Sequence, residues 1–283
     1  MMGGKNHMER DQQTLSLREI QMVELDIMKA VVHWFDKHGI SYCLCGGTML
    51  GAVRHEGFIP WDDDIDLLVP REDYDRIREL LAAGAWQDRT VVFSCPGDDR
   101  YPYPFIKVMN REYIVSDPFR DASWPNHIWI DIFPLDHFPD EDGAHRRVLR
   151  TNYLLNRILG AGTLLDDGQK TPAQKARAVV LKVLYRLLGG YRRLTVLIDW
   201  YARRMNRRYK DSQHVGDGTW PNGWKDYFTV DSVFPMEKHL FEGEAFNIPV
   251  HYDKYLTQFY GNYMELPPPE QRGGHHVEAM KRP

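Results

Sequence analysis

Four of the five residues from Asp62 to Asp66 are aspartates, in the run Trp61-Asp62-Asp63-Asp64-Ile65-Asp66-Leu67-Leu68-Val69. Strand formers follow them, so capping of a following helix does not explain the run. In an extended chain Asp62, Asp64 and Asp66 point to one face and Asp63 to the other. Two carboxylates about 5 Å apart repel by roughly 3 kcal/mol at an effective dielectric near 20. A fold that gathers three of them calls for a cation. Mg²⁺ or Mn²⁺ suits such a set, being a hard ion with oxygen ligands that is commonly shared with substrate phosphates. Asp131 adds a further carboxylate inside Trp129-Ile130-Asp131-Ile132-Phe133, where a buried charge is costly unless paired or metal-bound. The expected metal ligands are therefore Asp62, Asp64, Asp66 and Asp131. The competing reading, a solvated acidic turn, leaves Asp131 unexplained.

Upstream, Leu44-Cys45 leads into Gly46-Gly47-Thr48 and on to His55. A strand that ends in Gly-Gly-Thr and enters a helix sets backbone N–H groups and a hydroxyl at the helix N-terminus. That is an anion site suited to a di- or triphosphate. Gly46, Gly47 and Thr48 are the expected phosphate cradle, with Arg54 and Lys107 as neutralising cations. Trp61, Trp124 and Trp129 are candidates to stack a cytosine or enclose a quaternary ammonium. His55 and His137 flank these motifs, and either is a candidate general base. His275-His276 is a weaker candidate metal pair, more simply read as an exposed tail.

Helical spacing runs from Leu17 to His38, stopped by Gly39. Ile40–Leu44, Ile65–Val69, Val91–Cys95, Phe105–Met109 and Trp129–Phe133 read as short strands, the last stopped by Pro134. Alternation of helices and strands predicts a mixed α/β (α+β) sheet. The expected organisation is a flexible polar N-terminus over 1–16, a catalytic core over 17–143, and a mostly helical part over 144–283 that closes over it. Tyr252–Tyr260 reads as a short helix within that last part. From Lys170 to Lys210 there are twelve Lys or Arg against one acidic residue, Asp199. With 43% hydrophobic and 27% charged residues, the composition is that of a soluble globular protein. Three cysteines, of which Cys43 and Cys45 lie two apart on one expected strand, suit reduced thiols, and no secretory or membrane-spanning signal is seen. These features predict a cytoplasmic protein.

The run from Gly46 to Asp66, GGTMLGAVRHEGFIPWDDDID, resembles the signature of the LicD family of phosphocholine transferases and their kin. Trp129–Asp136 (WIDIFPLD), the stretch from Phe241 to Pro268 and the ending Arg272–His276 extend the resemblance over most of the chain outside the basic middle. It implies a nucleotidyltransferase-type fold. The implied activity moves a phospho-alcohol from a CDP-activated donor onto a hydroxyl of a cell-surface glycan of lipopolysaccharide, teichoic acid or capsule type. Asp64 and Asp66 match the family's metal-binding pair, and Asp62 and Asp131 further acidic positions of its site. The expected catalytic set is then Asp64, Asp66 and Asp131, with His55 or an aspartate taking the hydroxyl proton. The resemblance leaves the donor's head group open.

The basic middle reads either as helices with a solvated cationic face or as a face that meets an anionic membrane or a lipid-linked glycan. No nucleic-acid motif accompanies it. Two other functions stay in view: a nucleotidyltransferase that uses a nucleoside triphosphate, and a non-catalytic glycan- or lipid-binding module.

Overall fold

Ser16 and Glu19 form a reciprocal capping box that opens helix α1 (Leu17–His38), and Gly39, at φ 63°, closes it. A computed structural model describes residues 14–116, 124, 126–165, 171–221, 227–274 and 278–282. The buried stripe of α1 includes Ile20, Glu24, Ile27, Met28, Val31 and Phe35, and it packs on the sheet. Strand β1 (Cys43–Leu44) is shorter than its sequence suggests and passes at once into α2 (Gly46–His55). Then come β2 (Asp66–Pro70), α3 (Arg71–Ala82), β3 (Val91–Ser94), β4 (Ile106–Asn110), β5 (Tyr113–Ser116) and β6 (Ile128–Phe138).

The main sheet has the order β1-β2-β6-β4-β3. Strands β2 and β6 are parallel, while β1/β2, β6/β4 and β4/β3 pair antiparallel. The mixed α/β (α+β) class expected from the sequence is what the chain adopts. Pro134 does not stop β6, which continues to Phe138. The reason lies in the pairing. Asp131 N–H bonds to Ile65 O on the β2 side, so by alternation the Pro134 nitrogen faces the other flank. Pairing with β4 has already ended there, at Ile132, and the missing donor leaves no bond unmade.

Helices α4 (Asp142–Thr163), α5 (Pro172–Leu187) and α6 (Gly190–Arg208) follow. Ile158, Leu159, Leu194 and Ile198 form a second, smaller core between them. A buried charge network clamps this layer to the sheet. Arg71 of α3 binds Asp136 of β6 in a bidentate pair, at 2.7 and 2.6 Å, and reaches Asp199 of α6 at 2.8 Å. Asp199 also holds Arg78 at 2.6 Å and Arg203 at 3.0 Å. The one carboxylate of the basic segment is thus internal.

The chain then returns to the sheet. Strand β7 (His214–Asp217) pairs with β6, and β8 (Phe228–Thr229) pairs with β7. After α7 (Val230–Val233) come the hairpin β9 (Met236–Phe241) and β10 (Glu244–Pro249), then α8 (Tyr252–Tyr260) and β11 (Glu278–Lys281), which pairs with β5. Cys43 and Cys45 are buried and Cys95 is half-buried, all as free thiols. Among the described residues no helix is long and apolar enough to cross a membrane.

Candidate active site

Strand register sets the centre of the site. Asp66 on β2 is paired with Asp131 on the parallel β6, and Asp131 with Lys107 on the antiparallel β4. Residues in register across a sheet share a face, so two carboxylates and an ammonium form one row. Lys107 Nζ lies 2.7 and 2.9 Å from the two oxygens of Asp131. It also sits over the rings of Trp129 and Tyr103, at 4.2 and 4.5 Å. With Lys107 3% and Asp131 9% exposed, this is a desolvated pair. The ammonium expected to meet phosphate neutralises Asp131 here.

Asp66 differs. Burial, then Asp64, Asp131 and Asp62, push its carboxyl well above the usual range, against the smaller pull of Lys107. Its backbone N–H donates to Thr48 Oγ1 at 2.9 Å. Buried Thr48 therefore fixes the start of β2. The α2 N-terminus stands against the aspartates. A Cβ at Gly46, whose φ is +53°, would lie 3.3 Å from Asp66 Oδ2, and one at Gly47 would lie 2.6 Å from Asp62 Oδ2. The two glycines let the helix start approach the carboxylates where any side chain would intrude.

Arg54 and His55 stand at the far end of α2, about 13 Å along the helix from Gly46. Arg54 donates to Tyr263 O at 2.8 Å and to His55 Nε2 at 3.0 Å. Burial and Arg54 together lower the His55 pKa. Trp61 lies under the Arg272 guanidinium, 5.3 Å from its ring. Trp124 packs edge-on against Tyr191. His137 sits at the other end of β6, beside Ser212 and Asn206. His275 and His276 lie outside the described residues. The structure brings together Gly46, Gly47, Thr48, Asp62, Asp64, Asp66, Asp131 and Lys107, and leaves Arg54 and His55 apart.

Sequence reasoning missed several neighbours. Glu24 of α1 is 1% exposed, and its Oε2 has no hydrogen-bond partner among the described residues. Burial, then Asp64, Asp63, Asp62 and Asp131, hold its carboxyl well above the usual range. Its spacing from Ile20, Ile27 and Met28 places it on the buried stripe of α1, which was the available signal. Asp217, between Gly216 and Gly218, shares a narrow pocket with Asp66, Gly46, Phe133, Trp220 and Phe259. It accepts hydrogen bonds from Thr219 N at 2.7 Å, Thr219 Oγ1 at 2.8 Å and Trp220 N at 3.1 Å. Burial nonetheless pushes it up to about 6. Tyr260 of α8 feels Asp66 and Asp62, and burial raises its phenol pKa.

Among the described residues no three carboxylates, thiols or imidazoles already form a group able to hold a metal ion. A Mg²⁺ site commonly takes one or two carboxylates and completes its shell with water and substrate phosphate. With Asp131 held by Lys107, the like-charged Asp64 and Asp66 beside the glycine cradle fit that pattern.

A mixed sheet that carries an aspartate row beside a glycine-led helix is one element of a phosphate-handling protein. Residues 39–154 match the family described as LicD/FKTN/FKRP, nucleotidyltransferase domain. The lipopolysaccharide cholinephosphotransferase LicD of Haemophilus influenzae is 29% identical over 279 residues, covering 93% of this chain and 97% of that protein. The ribitol 5-phosphate transferase FKRP of Mus musculus is 44% identical over 125 residues, 37% of this chain and 25% of its own length.

Proposed function

We propose that this chain is a phosphotransferase that moves phosphocholine, or a closely similar phospho-alcohol, from a CDP-activated donor to a hydroxyl of a cell-surface glycan. The family and the near full-length relative from Haemophilus influenzae support the reaction class. One structural observation carries the choice of head group. The pocket that contains Asp66 is walled by Phe133, Trp220, Phe228, Tyr255 and Phe259 and holds a second carboxylate, Asp217. Aromatic faces with buried carboxylates suit a quaternary ammonium, which cannot donate hydrogen bonds and is held by electrostatic attraction. A polyol phosphate would ask for hydrogen-bonding side chains in their place.

In this reading the donor's diphosphate lies against the Gly46-Gly47 helix start, with the head group in the aromatic pocket. A Mg²⁺ or Mn²⁺ held by Asp64 and Asp66 would polarise the phosphoryl oxygens and offset their charge. The glycan hydroxyl attacks the phosphorus that carries choline. A new P–O bond forms, the P–O bond to CMP breaks, and the hydroxyl proton passes to a carboxylate of the cluster. Lys107 pairs with Asp131 and holds it in register behind Asp66. The work is positioning and charge stabilisation, as expected for phosphoryl transfer. The chain would act in the cytoplasm, where the acceptor is assembled against a membrane.

Thermal shift with CDP-choline, CDP-ethanolamine, CDP-ribitol and nucleoside triphosphates, each with and without Mg²⁺, tests the donor assignment. Metal-dependent stabilisation by CDP-choline above the others is the expected result, because a ligand of the native state raises stability by mass action. Stabilisation by a nucleoside triphosphate alone would overturn it.

A further inference from the structure

Helix α5 buries none of its residues. Leu181, Leu184 and Tyr185 pack partly against the Ile158, Leu194 and Ile198 cluster, so one face is docked. The opposite face carries Val179, Val180, Val183 and Leu187, exposed by 60%, 58%, 49% and 76%. At 3.6 residues per turn these four form one stripe. Lys175, Lys182 and Arg186 flank it on one side and Arg177 on the other, with no Asp or Glu anywhere on the helix. A solvated helix has no use for an aliphatic stripe edged with cations. A membrane interface has: the stripe enters the acyl boundary while the long basic side chains reach the head groups.

We propose that α5 is a membrane-docking helix that seats the protein on an anionic lipid bilayer. Charge complementarity selects that occupant. A second copy of α5 would set four cations against four cations, whereas an anionic leaflet attracts each of them. The adjoining groove agrees. About 710 Å³ opens between α4 and α5, with Arg157, Arg177 and Lys182 in its lining and no carboxylate among the described residues. Leu164 and Leu165, both exposed, also line this groove. Trp220 lines this groove and the pocket of Asp66 alike. Docking through α5 therefore brings the bilayer beside the reaction centre. The inference specifies the membrane setting of the proposed function, yet it rests on α5 and the groove rather than on the aspartates.

The test is co-sedimentation of the full chain with phosphatidylglycerol/phosphatidylcholine vesicles and with pure phosphatidylcholine vesicles. Val183→Asp, Leu187→Asp and the pair Lys182→Gln/Arg186→Gln are compared with the wild type. Wild type should bind the anionic vesicles, and binding should fall as salt rises. Each Asp variant should bind at least about tenfold more weakly, from the lost burial of one aliphatic side chain. Melting temperature and CMP release with a water-soluble acceptor should not change, since the substituted side chains are exposed. Failure of the wild type to bind, equal binding to neutral vesicles, or variants that bind like wild type would overturn the proposal. So would a dimer abolished by Val183→Asp. Asp66→Asn serves as the control: it should bind vesicles normally, and any failure of CMP release there concerns the reaction alone.

Discussion

Asp66 and Asp131 face each other across the parallel strands β2 and β6, and Lys107 forms its ion pair with Asp131. One carboxylate of the row thus has a fixed counter-ion. The other lies beside Asp64, Asp131 and Asp62, and burial first, then these like charges, raise its proton affinity. The two aspartates occupy equivalent places on adjoining strands and yet have different roles.

Asp64→Asn and Asp66→Asn should each reduce transfer by about a hundredfold to a thousandfold, equivalent to roughly 3 to 4 kcal/mol of transition-state stabilisation. Melting temperature should hold or rise slightly without metal, because a repulsion is relieved. Asp63→Asn tests a different quantity. Asp63 is 3% exposed, and a Cβ at Gly274 would lie 2.5 Å from its Oδ1, so packing is its province. The expected outcome is lower stability with transfer largely kept. Turnover and melting curves for the three variants decide it.

Lys107→Met leaves Asp131 buried without its cation and should destabilise by about 3 to 5 kcal/mol. The double variant Lys107→Met/Asp131→Leu removes the stranded charge and should recover most of that stability by chemical denaturation. Recovery of activity is not expected, since the acidic row is broken. A double variant no more stable than the single would show that the pair does not account for the loss.

The glycines separate chemistry from folding. A methyl group at Gly47 meets the Asp62 carboxylate at 2.6 Å, a contact that rotation of a half-exposed side chain relieves. Gly47→Ala should therefore impair transfer more than stability. Gly51 packs against backbone, where a Cβ would lie 2.4 Å from Gly57 O. Gly51→Ala should destabilise by about 1 to 3 kcal/mol through overpacking. Comparison of kcat with melting temperature for the two variants checks the distinction.

Much of this is legible in the sequence. Period and the Gly39 stop place α1 at Leu17–His38, and α8 lies where its sequence predicts, at Tyr252–Tyr260. The aspartate run and the Gly46-Gly47 turn lie close in sequence, so their meeting is a local event. What the sequence hides depends on pairing at a distance. Nothing near Lys107 announces that Asp131 is its partner, since strand register decides that. Arg54 and His55 are close to the cluster in sequence, yet the rigid rise of α2 carries them away. Asp217, Trp220 and Phe259 reach the pocket through β7 and α8, from more than 150 residues downstream of Asp66.

Stability should depend on pH through Asp217. Its carboxyl is pushed up to about 6 by burial, against roughly 3.9 in the unfolded chain. A raised folded pKa means the native state binds the proton more tightly. The associated stability is full below about pH 4 and is lost as pH rises through about 6, a swing of roughly 3 kcal/mol. Asp217→Asn lacks that swing, so it should gain on the wild type by about that amount between pH 4 and pH 7. A constant difference in denaturation free energy across the range would refute the assignment. Asp66 shifts in the same direction, so added Mg²⁺ should raise the melting temperature more at pH 7.5 than at pH 5, where protons compete for the site.

The central claim is that Asp64 and Asp66 support metal-dependent transfer of phosphocholine from a CDP-linked donor. Release of CMP from CDP-choline, followed with a glycan acceptor present, tests it most directly. The account predicts CMP release with matching appearance of phosphocholine on the acceptor. It should require Mg²⁺ or Mn²⁺, be abolished by chelation, and fall by about a hundredfold to a thousandfold in Asp66→Asn. Undiminished CMP release after exhaustive chelation or in Asp66→Asn, or pyrophosphate release from a nucleoside triphosphate in its place, would contradict the account.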